Sequence, residues 1–458
     1  MPSTSPTSSS PKSNPSEALD QLHDLIKQAM RAGADAADAM LADATALSVG
    51  WRGGKIESLE QAESGDLGLR VFIGKKQAIV STTDRRAATL NELVERAVAM
   101  AKSAPDDIYC GLADANEITK KYPEIEQADD YNVSAPALIA KAREAEEAAL
   151  AVKGVTQCES TDASASQASV YLVASNGFAG QYSRTHYGIS AAVLAGEGTN
   201  MEQDYDFASC VFQFDLPQAS AIGKKAGERA VRHLGGRKMP TCQVPVVFDP
   251  REANSIVHHL AGAISGSSVA RGTSFLKDFL NKQVFSASIT ITDDPFRARG
   301  MRSHAFDGEG LLPSKRKIID NGILTTWLLD LRSARQLKMK STGHASRGVS
   351  SIPSPSPSNM YIEPGTLNPQ ELIKDIKQGF YVSELMGMGV NGVTGDYSRA
   401  ARGFWIENGH IAYPVNEMTI AGNLKDMFKN VTAANDLAFL YGIDSPTLRI
   451  EGMTVAGV

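Results

Sequence analysis

Cysteine is scarce in this chain: there are four in 458 residues, at Cys110, Cys158, Cys210 and Cys242, and none in C-x-x-C spacing. Residues so far apart build neither a disulfide framework nor a cysteine-based zinc knuckle, and reduced, partly buried thiols in a cytoplasmic protein are the expectation. Long apolar runs are missing too. No stretch approaches the ~20 residues that a membrane-spanning helix needs, so no membrane association is expected. Positive charge is not in excess: 46 Lys and Arg face 52 Asp and Glu, a formal charge of -6. With no basic cluster to meet a phosphate backbone, no nucleic acid is expected as a partner. The opening MPSTSPTSSSPKSNP lacks the apolar segment of a secretory signal and the arginines of a transit peptide. It reads as a disordered tail over 1–15.

What is present points to an α+β protein of two or three domains, since the chain is too long for one compact core. Ser16 is placed to cap a helix whose apolar positions are Leu19, Leu22, Leu25, Ile26 and Met30. Two strands joined at Gly74 over 66–84 and a helix over 86–102 complete an N-terminal α+β domain, 16–103. A polar connection covers 104–134. A helix over 135–152, two strands around Asn176-Gly177, a pair suited to a type I′ turn, and a helix over 216–234 make a central α+β domain, 135–240. From the strand at 243–248 onward β signals dominate, and 241–458 reads as a β-rich C-terminal domain. There KRKIIDNGILTTWLLD and GFWIENGHIAYPV reuse one hairpin type, at Asn321-Gly322 and Asn408-Gly409. Between them the Ser/Pro stretch at 346–359 is expected to be a mobile, exposed loop.

The segment SIVHHLAGAISG sets two histidines inside a well-signalled helix. Asp249 suits the N-cap, Pro250 the first helical position, and Glu252 the capping-box spacing. Ala253, Ile256, Val257, Leu260, Ala261 and Ile264 form one apolar stripe. Neighbouring helical residues diverge by ~100°, so His258 and His259 cannot grip one ion. A helical zinc site needs a second histidine about one turn on, with a glutamate between. Gly262, Ala263 and Ile264 stand there instead, and the pair reads as structural.

Other motifs carry weaker chemistry. GDYSRAARG gathers Asp396, Tyr397, Ser398, Arg399 and Arg402 in a glycine-bounded loop before a strand. Its arginines could clamp a peptide carboxylate or a partner's acidic side chain, or the loop could satisfy its own charges. KSTGHASRG holds Ser341, Thr342, His344 and Arg347. A triad of Ser341, His344 and Asp396 is conceivable, but no G-x-S-x-G elbow surrounds the serine, and a tight turn near the surface is the simpler reading. GMGVNGVTG lacks the spacing of a phosphate loop, and its glycines are taken to serve positive φ or close approach. Asp293-Asp294 before Pro295 reads as a β-turn. His23, His186, His233, His304 and His410 are assigned no role. An open edge in the β-rich domain could bind extended polypeptide as an added strand.

AISGSSVARGTSFLKDFLNKQVFSASITITDDP, KSTGHA, ELMGMGVNGVTGDYSRAARGFWIENG and PVNEMTIAGNLKDMF closely resemble the PmbA/TldE branch of the TldD/PmbA family, and the resemblance runs from about residue 17 to the end. It implies a zinc peptidase of two related chains that degrades unfolded polypeptides and trims leader peptides. The TldD-type subunit carries H-E-x-x-x-H in the corresponding helix and a further cysteine ligand near its C-terminus. Here Val257 and Gly262 stand at the two histidine positions, His258 stands at the glutamate, and the last cysteine, Cys242, precedes the helix. The expectation is thus a subunit that binds no cofactor itself, with zinc in a TldD-like catalytic partner and extended peptides as substrates. Asp396, Tyr397, Ser398, Arg399, Arg402, Thr342 and His344 are the candidate peptide-binding or interface residues. A stand-alone protein-binding or regulatory module of the gyrase-modulator type, a homodimer when isolated, is the alternative; an independent hydrolase ranks third.

Overall fold

The computed structural model describes residues 14–457; residues 1–13 of the expected tail lie outside them. Helix α1 (Pro15–Arg31) is capped by Asn14, whose side chain accepts from the Ser16 amide (3.2 Å), with Pro15 at the first helical position. Ser16 is therefore inside the helix and not its cap. The chain continues through β1 (Ala36–Arg52), β2 (Lys55–Ile73), β3 (Lys76–Thr82) and α2 (Ala87–Ser103). Then come α3 (Ala135–Leu150), β4 (Val155–Ala174), β5 (Ala179–Glu197), β6 (Asn200–Cys210) and α4 (Ala219–Arg232). The connection at 104–134 carries no helix or strand.

The two N-terminal units share one antiparallel sheet in the order β3-β2-β1-β4-β5-β6, because β1 pairs with β2 on one edge and β4 on the other. Leu22, Leu25, Leu93 and Val94 of α1 and α2 cover Leu41, Leu67 and Leu69 at one end of the sheet. Helices α3 and α4 cover Ile189, Ala191 and Val193 at the other. The last two helices pack backbone to backbone at Gly223, where a Cβ would lie 1.9 Å from the Ala145 carbonyl oxygen. Only glycine permits that approach.

The remainder is the β-rich domain. It contains β7 (Cys242–Phe248), α5 (Pro250–Ala263), α6 (Gly266–Ala270), β8 (Ile291–Asp294), β9 (Arg316–Asp320), β10 (Ile323–Leu324) and α7 (Leu331–Gln336). These are followed by β11 (Ala345–Ser346), β12 (Ser354–Pro355), β13 (Asn359–Ile362), α8 (Pro369–Ile373), β14 (Gln378–Met386), β15 (Asp396–Glu407) and β16 (His410–Asn423). Helix α9 (Leu424–Lys429) and strands β17 (Val431–Ala433), β18 (Ile443–Asp444) and β19 (Leu448–Ala456) close the chain. One sheet runs β16-β15-β14-β7-β19-β17, and β16 also pairs with β19, which closes a barrel. A second sheet runs β10-β9-β8-β13-β18. The core between them includes Phe248, Val257, Leu260, Phe285, Trp327, Phe380 and Phe428. Pairing of β16 with β19 closes most of the barrel wall, and free edges remain on β3 and β6 of the N-terminal sheet, on the smaller sheet and on the short β17, which pairs with β19 alone. Among the described residues no helix is long and apolar enough to cross a membrane.

Turn chemistry explains the hairpins. Asn321 and Gly322 have φ of 48° and 82°, and Asn408 and Gly409 have 48° and 78°, as type I′ turns require. Asn176-Gly177 differs. Only Gly177 has positive φ, and the Asn176 side chain accepts from the Phe178 amide (3.1 Å) within a four-residue connection. The stretch at 346–359 also departs from expectation. β11 pairs with β12, Ser358 and Asn359 are buried, and Val349 is pressed against β2, where a Cβ on Gly68 would lie 1.7 Å from its carbonyl oxygen.

Candidate functional site

Helix α5 begins as its sequence dictates. Asp249 accepts from the Arg251 amide (3.0 Å), Pro250 starts the first turn, and Ala253, Ile256, Val257, Leu260 and Ala261 are buried. Glu252 forms no capping box. It stands instead on the polar side of the helix, where side chains from β6, α4, β14 and β15 converge.

The centre of this convergence is ionic. Arg251 donates to Asp204 Oδ1 (3.0 Å), the Tyr205 carbonyl (3.0 Å) and the Ser383 carbonyl (2.9 Å), with its guanidinium carbon 4.6 Å from the Tyr205 ring centre. Arg402, at a bulge in β15, reaches Glu202 Oε2 (3.1 Å), Asp204 Oδ2 (3.7 Å), Glu384 and the Gln203 carbonyl. His233, just past α4, sits 3.1 Å from Ser383 Oγ and stacks on Phe404 at 4.7 Å. Burial, with Arg402 nearby, brings the His233 imidazole down to about 4, so it is neutral here. Acids from the edge strand β6 thus meet arginines from α5 and β15, and the cluster ties the N-terminal sheet to the C-terminal domain.

Beside it lies a second group. His259 meets Tyr397 edge to face at 5.8 Å, and burial together with Arg399 and His258 lowers its imidazole to about 4. Burial pushes the Tyr397 phenol well above its usual range. The Glu252 carboxyl is pushed up to about 7 by burial, with Glu384 adding to the effect and Arg251 and Arg399 opposing it. Arg399 faces these groups with its Nε buried and without a hydrogen-bond partner.

From Asp396 onward GDYSRAARG therefore lies within strand β15 and is not a loop, and alternation splits its residues between two faces. Tyr397 and Arg399 point toward α5. Asp396 and Ser398 face outward, and Asp396 accepts from Thr394 Oγ1 (2.6 Å) and Asn423 Nδ2 (3.0 Å). Met388 stands in full solvent in the preceding connection, and Val393 is more than half exposed.

Thr342 and His344 lie elsewhere, and they are buried, not in a surface turn. His344 Nδ1 is 2.8 Å from Thr342 Oγ1 and its Nε2 is 3.1 Å from Asp293 Oδ2. Asp293 also accepts from the Ser358 amide (2.8 Å) and hydroxyl. The conceivable triad is thus absent: the carboxylate partner of His344 is Asp293, Asp396 has other partners, and Ser341 Oγ is 3.1 Å from the Leu329 carbonyl. Asp293 belongs to β8, not to a turn. Its signal was the alternation of a buried strand, which the following proline obscured.

The donor set around α5 does not fit the zinc that the family resemblance associates with this helix. Val257 is in the core, whereas His258 and Gly262, one turn apart, share an exposed face on which the glycine offers no donor atom. Asp204, Glu202 and Glu384 are held by Arg251 and Arg402, and the positive charge of Arg399 already acts on His259. Among the described residues no group of three or more His, Cys, Asp or Glu side chains is arranged to hold an ion.

Comparison with known proteins covers nearly the whole chain. Residues 37–101 match PmbA/TldA metallopeptidase domain 1, 128–234 the central domain and 241–457 the C-terminal domain. Metalloprotease PmbA of Escherichia coli O157:H7 is 36% identical over 425 residues, 92% of each chain. A PmbA homolog of Haemophilus influenzae is 34% identical over 436 residues, 94% of each. Among solved structures, a Bacteroides thetaiotaomicron protein bearing a gyrase-modulator label superposes with a TM-score of 0.89 at 27% identity, covering 96% of this chain and 99% of that one. TldE of Thermococcus kodakarensis shares the fold, with a TM-score of 0.86 at 19% identity over 95% of this chain and 100% of that one.

Proposed function

The chain belongs to the PmbA/TldD metallopeptidase family, and we propose that within it this chain is the zinc-free subunit of a two-chain peptidase. A TldD-like partner supplies the metal and the hydrolysis. This chain stabilises the partner and shapes the channel that admits unfolded or extended polypeptides, in a cytoplasmic setting that suits its four free cysteines. The observation that carries the reading is the filling of the polar side of α5 by Arg251, Arg399 and Arg402, which leaves its histidines no convergent donors. The exposed Met386, Met388 and Val393 beside the outward face of β15 supply apolar surface for a partner.

The test is reconstitution with a TldD-type chain, measuring zinc per subunit and peptide turnover together. Zinc confined to the partner, and cleavage only when both chains are present, is the expected result. Stoichiometric zinc in the isolated chain with chelator-sensitive cleavage would overturn it. The gyrase-modulator label of the Bacteroides structure favours a second reading, a homodimeric binding module acting on proteins. Stable homodimers that never enable cleavage with the partner would establish that one instead.

A further inference from the structure

A cavity of about 310 Å³ lies where the N-terminal sheet meets the C-terminal domain, remote in sequence from helix α5. One wall is apolar: Met40 of β1, Val170 and Leu172 of β4, Tyr182 of β5, and Phe306. Arg184 stands two residues from Tyr182 on the same face of β5, and with Arg302 it makes one side of the cavity cationic. Arg184 Nη2 donates to the Ser303 carbonyl (3.1 Å). Arg302 donates through Nε and Nη2 to the Pro357 carbonyl (3.2 and 3.0 Å) and to Ser356 Oγ (2.9 Å). Among the described residues no carboxylate lies within ion-pair distance of either guanidinium, whereas Arg347, which also lines the cavity, is paired to Asp38 at 2.7 Å. Asp307, the one acid in the lining among the described residues, accepts from the amides of Glu309, Leu311 and Ala345, and Asp293 behind it is engaged by His344 and Ser358. Burial lowers Arg302 from its usual value, with Asp293 opposing and Arg184 adding to the drop, as expected of two cations facing one space.

His304 also lines the cavity. Its Nδ1 lies 3.1 Å from the Arg302 carbonyl, which can only accept, so Nδ1 carries the proton and Nε2 is left as an acceptor. Two guanidinium forks, one acceptor and an apolar wall match a single chemical object: a carboxylate with an N–H two bonds away and an apolar side chain. We propose that this cavity binds the C-terminal residue of a peptide, its carboxylate on Arg184 and Arg302, its amide N–H on His304 Nε2 and its side chain against Val170, Leu172 and Phe306. The volume suits one or two residues. A phosphate would use the cations and leave the acceptor and the apolar wall without a purpose. The site stands apart from the subunit reading, since binding is measured on this chain alone.

The probe is N-acetyl-L-leucine, titrated calorimetrically into the full chain beside N-acetyl-L-leucinamide and inorganic phosphate. A dissociation constant of about 1 mM or tighter is expected for the acid. The amide and phosphate should bind at least about tenfold more weakly, as should the acid to Arg302→Gln and Arg184→Gln. Arg184 is half-buried on a long strand, so Arg184→Gln keeps the test decisive where Arg302→Gln does not fold. Equal affinity for acid and amide, tighter binding of phosphate, no binding of the acid, or undiminished affinity in the folded variants would each overturn the proposal.

Discussion

Two arginine-rich regions lie at the seam between the N-terminal sheet and the C-terminal domain, and they differ in how their charge is answered. At α5, Arg251 and Arg402 meet Glu202, Asp204 and Glu384, carboxylates contributed from both sides of the seam. In the cavity, Arg184 and Arg302 end on carbonyls and a hydroxyl. The first arrangement is closed, because a buried guanidinium with its acids in place has little left to offer a ligand. The second is open. Residue type does not separate them; the counter-charge brought by another part of the chain does.

The sharpest way to break this contrast is Arg402→Ala. It leaves Glu202, Asp204 and Glu384 gathered with one guanidinium fewer, and a loss of about 3–5 kcal/mol in urea unfolding is expected. A loss below about 1 kcal/mol would mean that the closed cluster does not hold the domains together.

Acid comes next. His233 and His259 are held near 4, below the ordinary histidine value of 6.5, so folding favours their neutral forms. The stability they contribute is present above pH 6.5 and lost as pH falls through 4, by on the order of 1–2 kcal/mol each. Thermal unfolding across that window should steepen this fall in the wild type relative to His259→Gln; parallel curves would count against it. Glu252 has the opposite sign. Its carboxyl, raised to about 7 from 4.5, favours folding fully below pH 4.5, and that contribution disappears as pH rises through 7. Glu252→Gln should therefore match the wild type at pH 5 and exceed it by about 1 kcal/mol at pH 8.

The smallest effect belongs to the open region. Arg184→Gln should change stability by less than about 1 kcal/mol, since no buried carboxylate is orphaned. A loss comparable to that of Arg402→Ala would erase the distinction between the regions.

Much of the architecture was readable because its signals are local. The cap and proline at 249–250 and the apolar stripe to Ile264 specify α5, and the Asn-Gly pairs specify two hairpins. Failures arose where distant segments decide the outcome. GDYSRAARG is polar enough to read as a loop, yet pairing with β14 and β16 makes it a strand, and the bulge at Arg402 turns that side chain toward acids two hundred residues away. The Ser/Pro stretch looks mobile alone and is held by Gly68 and Asp38. His233 belongs to no spacing motif, because its neighbours Ser383, Phe404 and Asp204 come from separate parts of the chain. Arg184 and Arg302 carried no sequence signal at all, since what marks them is the lack of an acid.

The pairing of β1 with β4 has a consequence for handling the molecule. Severing the polypeptide anywhere in the strandless segment between α2 and α3 would not liberate two modules, because each fragment would hold half of a common ladder and expose a raw, hydrogen-bond-hungry margin. The pieces should migrate together after a protease nick and precipitate when produced singly. Shortened versions of this protein are therefore best trimmed at the extremities, never at the midpoint of its first half.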